Sequence, residues 1–366
     1  MNISIDIKRR EPIHLQIAAC LRKRIISGEI KPKDRFPTTQ ELVQQWGVSL
    51  MVIHRAMRVL ADEGLIVRKP GGGTFVKSEN DRMTIGILAS MSLTDEAAYF
   101  QRSLLKAFNE VVLNLQEKRW VLQTYDGLSK MQEDADNGNR QAYQSTIKDI
   151  QNHSLRGLIS ILGGSRFNID KLKLNIPCVS LGSSGMQCDV LMDFYDFGIE
   201  SVNYLVQKGV QEIAYIRTIR TSAPDDDLAG INDAIRLAGI MKPEIVQFSK
   251  DWMSGGELEE MAYDETIKLI GKYRKKGRMP QAILVSDDIA TRGVCLALIK
   301  NGIEVPDKMM IASMANEQIF HHYGLPIIRY EFSPEKIVRA IIDRLGCLIS
   351  NRAKHFEPVK VSGKIA

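Results

Sequence analysis

Arg55 and Arg58 stand three residues apart on one face of a predicted helix, beside Leu50, Met51 and His54. Guanidinium groups so placed suit phosphate oxygens, which accept forked, charge-assisted bonds. The charge around them is uneven. Residues 1–82 carry 15 Lys/Arg against 9 Asp/Glu, a surplus of +6, which leaves −1 for the rest of a chain whose formal charge is +5. A short basic front on a near-neutral body suggests a polyanion-binding module joined to a carrier of another purpose.

The other reactive side chains make no catalytic or metal set. Pro70-Gly71-Gly72-Gly73-Thr74 looks like a phosphate cradle but lacks the Lys-Ser/Thr of a P-loop. His321 and His322 are adjacent, so their rings cannot easily reach one metal from a regular strand or helix, and no HExxH occurs. Asp287-Asp288 has no second carboxylate cluster to support a magnesium ion. Ser180 and Ser183 lack a GxSxG elbow, and the 15 methionines read as core fillers. No metal, no cofactor and no enzymatic activity are expected.

Cys20, Cys178, Cys188, Cys295 and Cys347 are odd in number, irregular in spacing and without CxxC, which reads as free thiols in a reducing compartment. No apolar run is long enough for a membrane span, and Met1–Asp6 carries no signal-peptide pattern. The expected location is the cytoplasm, with no membrane partner.

The elements that must position Arg55 and Arg58 follow from local signals. Pro12 opens a helix, along which Ile13, Ile17, Leu21 and Ile25 recur every four residues until Gly28. Thr38 and Glu41 fit a capping box for a second helix ending at Trp46-Gly47, and Ser49 caps a third that runs to about Glu63. In that third helix Ile53, Met57 and Leu60 face inward, opposite the arginines. Ile66–Lys69 and Thr74–Val76 read as two strands around the Gly-rich turn. This is the order of a winged helix-turn-helix, whose third helix enters the major groove of DNA.

PIHLQI (12–17), SGEIKPKDRFPTTQEL (27–42), WGVS (46–49), RAMRVLADEGLI (55–66) and GGGTFV (71–76) together resemble the GntR-type bacterial regulators over almost the whole front segment. The resemblance implies a dimer on palindromic double-stranded operator DNA. It places DNA contacts at Arg35, Thr38, Gln40, Leu50, Met51, Val52, His54 and the wing around Gly72, Gly73 and Thr74. The family often has Arg at positions 50 and 54, where this chain has Leu50 and His54, so forked Arg–guanine contacts are lost there. Leu50 and Met51 instead suit thymine methyl groups, unless one packs on the hairpin, while Arg55 and Arg58 suit phosphates.

Beyond a polar linker at 77–82, apolar strands alternate with helices from Thr84–Ala89 to Ile327–Tyr330. That alternation predicts α/β architecture with parallel sheets, and some 285 residues exceed one core, so two lobes are expected. Ligands of such sheets bind beyond the carboxyl ends of the strands, where Asp126, Gly163, Ser183, Asp193, Arg217 and Asn316 fall.

IGIL (85–88), RGLISIL (156–162), IPCVSLG (176–182), VLMDFYDFG (190–198), LAGINDAIRLAGI (228–240), AILVSDDIATRG (282–293), NGIEVPDKMMIASM (301–314) and LPIIRYEFSPEKI (325–337) resemble, in order, the effector domain of LacI-type regulators, relatives of periplasmic sugar-binding proteins. A GntR-type head on a LacI-type body is similar to the arabinose-responsive repressors. The resemblance implies a DNA-binding domain at 1–76 and a two-lobed effector-binding and dimerisation domain at 83–366. Its N-lobe is expected at about 83–189 plus 316–326, with crossings near 188–191, 314–317 and 325–328. The implied effector is a small sugar between the lobes, bound by Asp287 and by the rings of Tyr99 and Phe100. Asp225-Asp226-Asp227 stands where the family has Arg. As a ligand-facing run it favours a neutral polyol or a cation, with Asp227 at the ligand; otherwise it is a solvated loop or helix cap. An enzyme fused to the head, of the pyridoxal type, needs a longer body than this one, and a regulator of a non-sugar ligand is the remaining alternative.

Overall fold

The structure is a computed structural model that describes residues 12–26, 29–31, 36–62, 65–69, 73–76, 83–95, 98–114, 120–138, 140–152, 155–161, 176–183, 188–219, 225–249, 255–319, 321–350 and 357–366. The chain divides into two compact units, Met1–Met83 with Gly346–Lys354 and Thr84–Leu345 with His355–Ala366. The expected linker at 77–82 lies outside the described residues.

The head contains α1 (Ile13–Ile26), α2 (Thr39–Trp46), α3 (Leu50–Asp62), β1 (Ile66–Lys69) and β2 (Gly73–Val76). Ile17 and Leu21 from the four-residue stripe of α1 are buried with Leu42, Ile53, Met57, Leu60, Ile66 and Val76. Both bonds of the capping box form: the Glu41 N–H donates to Thr38 Oγ1, and the Thr38 N–H donates to the Glu41 carboxylate. Gly47, at φ 64°, ends α2 in the left-handed conformation that a Cβ disfavours. β1 and β2 pair antiparallel with Ile66 opposite Val76, and the Phe36 N–H donates to the Thr74 carbonyl at 2.7 Å.

The body is built on two six-stranded sheets. One has the order β13-β7-β6-β5-β3-β4, with β3 (Met83–Ala89), β4 (Trp120–Tyr125), β5 (Leu155–Ile161), β6 (Cys178–Ser183), β7 (Val190–Met192) and β13 (Val359–Val361). The other has the order β14-β12-β11-β10-β8-β9, with β8 (Ile213–Ile219), β9 (Glu244–Ser249), β10 (Ala282–Val285), β11 (Met310–Asn316), β12 (Ile328–Phe332) and β14 (Lys364–Ile365). The pairings along the second sheet are parallel except at β14, which runs antiparallel to β12. Helices α4 (Tyr99–Asn114), α5 (Leu128–Asp136), α6 (Gln141–Asn152), α7 (Phe194–Gln207), α8 (Asp226–Ala238), α9 (Gly255–Lys275), α10 (Asp288–Lys300) and α11 (Pro334–Ile349) connect them. Among the described residues no helix is long and apolar enough to cross a membrane.

The crossings between sheets differ from those expected. β7 still belongs to the first sheet, so the chain leaves it after Met192. Residues 316–326 do not return to the N-lobe: they join β11 to β12, two neighbouring strands of the second sheet. The return comes between β12 and β13, and the last crossing falls at Ser362-Gly363, between β13 and β14. Apolar strands carry no mark of which sheet they join, because both sheets bury the same residue types.

Two close approaches hold the body together. At the α7–α8 crossing, a Cβ on Gly230 would lie 2.1 Å from the Tyr195 carbonyl oxygen, and one on Gly198 2.5 Å from that of Asp227. The second is at the crossings themselves. The Tyr330 hydroxyl donates to Asp196 Oδ2 at 2.5 Å and accepts the Gly363 N–H at 2.8 Å. The Asp193 N–H donates to the Val361 carbonyl at 3.1 Å, so the first and last crossings are bonded to each other.

Candidate functional site

The head presents one face of α3. Ile53, Ala56, Met57 and Leu60 are buried, while Leu50, Met51, His54, Arg55 and Arg58 are exposed. Leu50 is 50% and Met51 64% exposed, so neither packs on the hairpin. Gln40 is exposed on α2. Thr38 is exposed too, with its hydroxyl engaged in the cap of α2. Thr74 is half-buried in β2. Arg35 and Gly72 lie outside the described residues.

In the body, several predicted ligand residues serve the protein itself. Arg217, at the end of β8, is 3% exposed and grips Asp227 with both arms: Nε to Oδ2 at 2.7 Å and Nη2 to Oδ1 at 2.6 Å. Its Nη1 reaches Gln247 at 2.8 Å and Asp225 at 2.8 Å. Tyr215 donates to Asp227 Oδ2 at 2.5 Å. Burial alone pulls the Arg217 guanidinium down, and the bonds and charge of Asp227 outweigh that, so Arg217 stands above its ordinary value. Burial, then the Asp227 charge, pushes Tyr215 well above its ordinary value. The acidic run is therefore not one solvated stretch: Asp225 is exposed, whereas Asp227 is sealed against Arg217. An Asp in the helix meets an Arg supplied by the strand.

Asp287 caps α10, its Oδ1 accepting from the N–H groups of Ile289 at 2.9 Å and Ala290 at 3.2 Å. Asp193 caps α7 through the Asp196 N–H. Asp126 ties the loops after β3 and β4, accepting from the Leu93 N–H at 2.7 Å and the Ser92 hydroxyl at 3.4 Å. Phe100 is half-buried in the first turn of α4, its carbonyl accepting the Ser103 hydroxyl. Asn316, at the end of β11, donates from Nδ2 to Asp288 Oδ2 at 3.3 Å.

Tyr99 does reach a cavity. About 490 Å³ in volume, it is lined by Tyr99, Arg292, Gln318, Ile319, His321 and His322. Tyr99 follows the first sheet's β3, while the others come from α10 and from the loop after β11 in the second. Tyr99 and His321 meet edge to face, 4.9 Å between centroids. Of these six residues only Tyr99 was predicted. The position of the His pair beyond a strand's carboxyl end was the available signal, but adjacency tests only for a shared metal. No group of three or more His, Cys, Asp or Glu among the described residues is placed to hold a metal ion. The five cysteines are free, and burial pushes the Cys178 and Cys295 thiols up to about 12, away from nucleophilic reactivity.

The class is that of a winged helix-turn-helix head joined to a two-lobed α/β body. Residues 13–76 match the model of the bacterial regulatory proteins of the gntR family, and 202–365 match the periplasmic binding protein-like domain. The chain thus carries a gntR-family regulatory domain on a periplasmic-binding-protein-like body. It is 24% identical over 321 residues to the arabinose metabolism transcriptional repressor of Geobacillus stearothermophilus, covering 82% of this chain and 81% of that one. It is 38% identical over 90 residues to the histidine utilization repressor of Klebsiella aerogenes, there spanning only 37% of the relative and 25% of this chain. Its fold is similar to that of the lac repressor dimer bound to operator and the anti-inducer ONPF, with a TM-score of 0.58 and 19% identity over 78% of this chain and 93% of that one. These relatives are transcriptional regulators, not enzymes.

Proposed function

We propose that this chain is a transcriptional repressor whose operator binding is controlled by a small neutral sugar held between the two lobes. An arabinose-like pentose is the favoured effector. The carrying observation is that one relative, an arabinose metabolism repressor, aligns along head and body alike over 82% of the chain. The repressor acts as a cytoplasmic homodimer on double-stranded operator DNA. Tyr99, Asp287 and Asn316 are the ligand-facing residues of this reading.

The test has two arms. Duplexes selected by the intact chain from a random-sequence pool supply an operator, and a panel of pentoses and hexoses is then titrated into the complex. Release by a neutral sugar is the expected result; operator binding indifferent to the whole panel overturns the sugar reading. On the same operator, Arg55→Ala and Arg58→Ala are each expected to reduce the slope of log affinity against log salt by about one, the value for one phosphate contact. A slope equal to that of the parent chain rejects the role for that arginine.

A further inference from the structure

We propose that Asp288 and His321 form a hydroxyl-binding pair at the edge of the interlobe cavity and select a neutral polyol over an acid or a phosphate. The proposal rests on the sugar reading and specifies the chemistry that reads the sugar. The His321 side chain is only 8% exposed, its Nε2 is buried, and no group among the described residues bonds to it. The nearest acceptor, Asp288 Oδ2, is 3.7 Å away, beyond a hydrogen bond. Yet the ring is held from two sides, by Tyr99 at 4.9 Å and by Tyr323 at 5.9 Å between centroids. A fixed ring with an orphaned nitrogen beside a cavity is an incomplete arrangement. Leaving such an atom unmatched is costly, so a bound group that completes it gains affinity by doing so.

The missing group must satisfy two neighbours at once. Asp288 is acceptor-only when ionised, and it already takes the Asn316 amide. A carboxylate or phosphate on the ligand also offers only acceptors, and Asp288 repels it. An ammonium offers only donors, and is admitted only where His321 presents a bare nitrogen. A hydroxyl does both, donating to Asp288 and accepting from His321, or donating to whichever of them lacks a proton. Arg292, which lines the cavity, does not reverse this preference, because it is paired with Glu259 at 3.1 Å. The stated volume lies within the range of small-molecule sites. Tyr99 adds a ring of the kind that packs on a sugar's C–H face.

The test is calorimetric titration of the full chain with L-arabinose, D-xylose, D-ribose, D-glucose and D-galactose, and with gluconate, ribose 5-phosphate and glucosamine as charged probes. Each is repeated on His321→Ala, His321→Gln and Asp288→Asn chains that melt cooperatively. A neutral sugar is expected to bind. His321→Ala and Asp288→Asn should each weaken it at least tenfold, and His321→Gln, which keeps a donor and an acceptor, should recover part of the loss. Should His321→Ala fail to fold, the other two variants decide. A sugar bound equally well by all the variants overturns the pair but leaves the sugar reading intact. Binding of the charged probes alone, or of no probe, overturns both.

Discussion

An Asp227→Ala chain is expected to lose about 3–5 kcal/mol of stability in the body, the usual cost of breaking a buried pair from one side. The magnitude follows from what is left behind. Arg217 is 3% exposed and keeps only Gln247 and the exposed Asp225 among the partners described above, too few to replace a two-armed carboxylate. Tyr215, fully buried, loses the acceptor of its hydroxyl in the same step. Replacing the whole set instead, as Tyr215→Phe, Arg217→Met and Asp227→Leu together, leaves no stranded polar group and is expected to return most of the loss. Chemical denaturation followed by far-ultraviolet dichroism reads both chains. A loss below about 1 kcal/mol for Asp227→Ala, the worth of an exposed pair, would show that water reaches Arg217 and that the pair is not sealed.

Gly230→Ala is the second large effect. In an exposed helix the change gains about 1 kcal/mol, because alanine has the better helix propensity. Here the added Cβ meets a backbone oxygen at 2.1 Å, and backbone cannot swing aside as a lysine tip can. The two helices must separate, and overpacking of that kind costs about 1–3 kcal/mol, occasionally more. The clash therefore wins, and a net loss of about 2 kcal/mol is expected from the same denaturation experiment. Gly239→Ala is no control, since Gly239 sits at φ 67°; Gly271→Ala is, being in mid-helix with nothing within 4 Å of the added atom. Equal effects at 230 and 271 would mean that α7 and α8 do not touch as described.

The head was nearly all legible because its signals are local. The capping box, the glycine at φ 64° and the four-residue stripe each act within a turn or two of chain. The strands β3–β12 were legible as short apolar runs, the first expected at Thr84–Ala89 and found at Met83–Ala89, the last expected at Ile327–Tyr330 and found at Ile328–Phe332. β13 and β14 lie beyond the expected alternation, because two or three residues at a sheet edge carry no periodicity. In the site, the kinds of residue were readable and their partners were not. Arg217 and Asp227 were both named for the ligand, yet a strand end and a helix start ten residues apart bring them to each other. Asp287 was named for its carboxylate, and one oxygen of that carboxylate is occupied by its own helix. His321 was judged against metals alone, whereas its setting, between two tyrosines and short of Asp288, exists only after the loop has folded back.

The stretch from Val359 to Ile365 supplies an edge strand to each of the two sheets. On a ribosome it emerges after every strand with which it pairs. Neither half of the body can finish its sheet before residues 359–365 have been made, and both finish on the same short stretch. The order of synthesis thus leaves both lobes short of an edge strand until this one stretch has emerged.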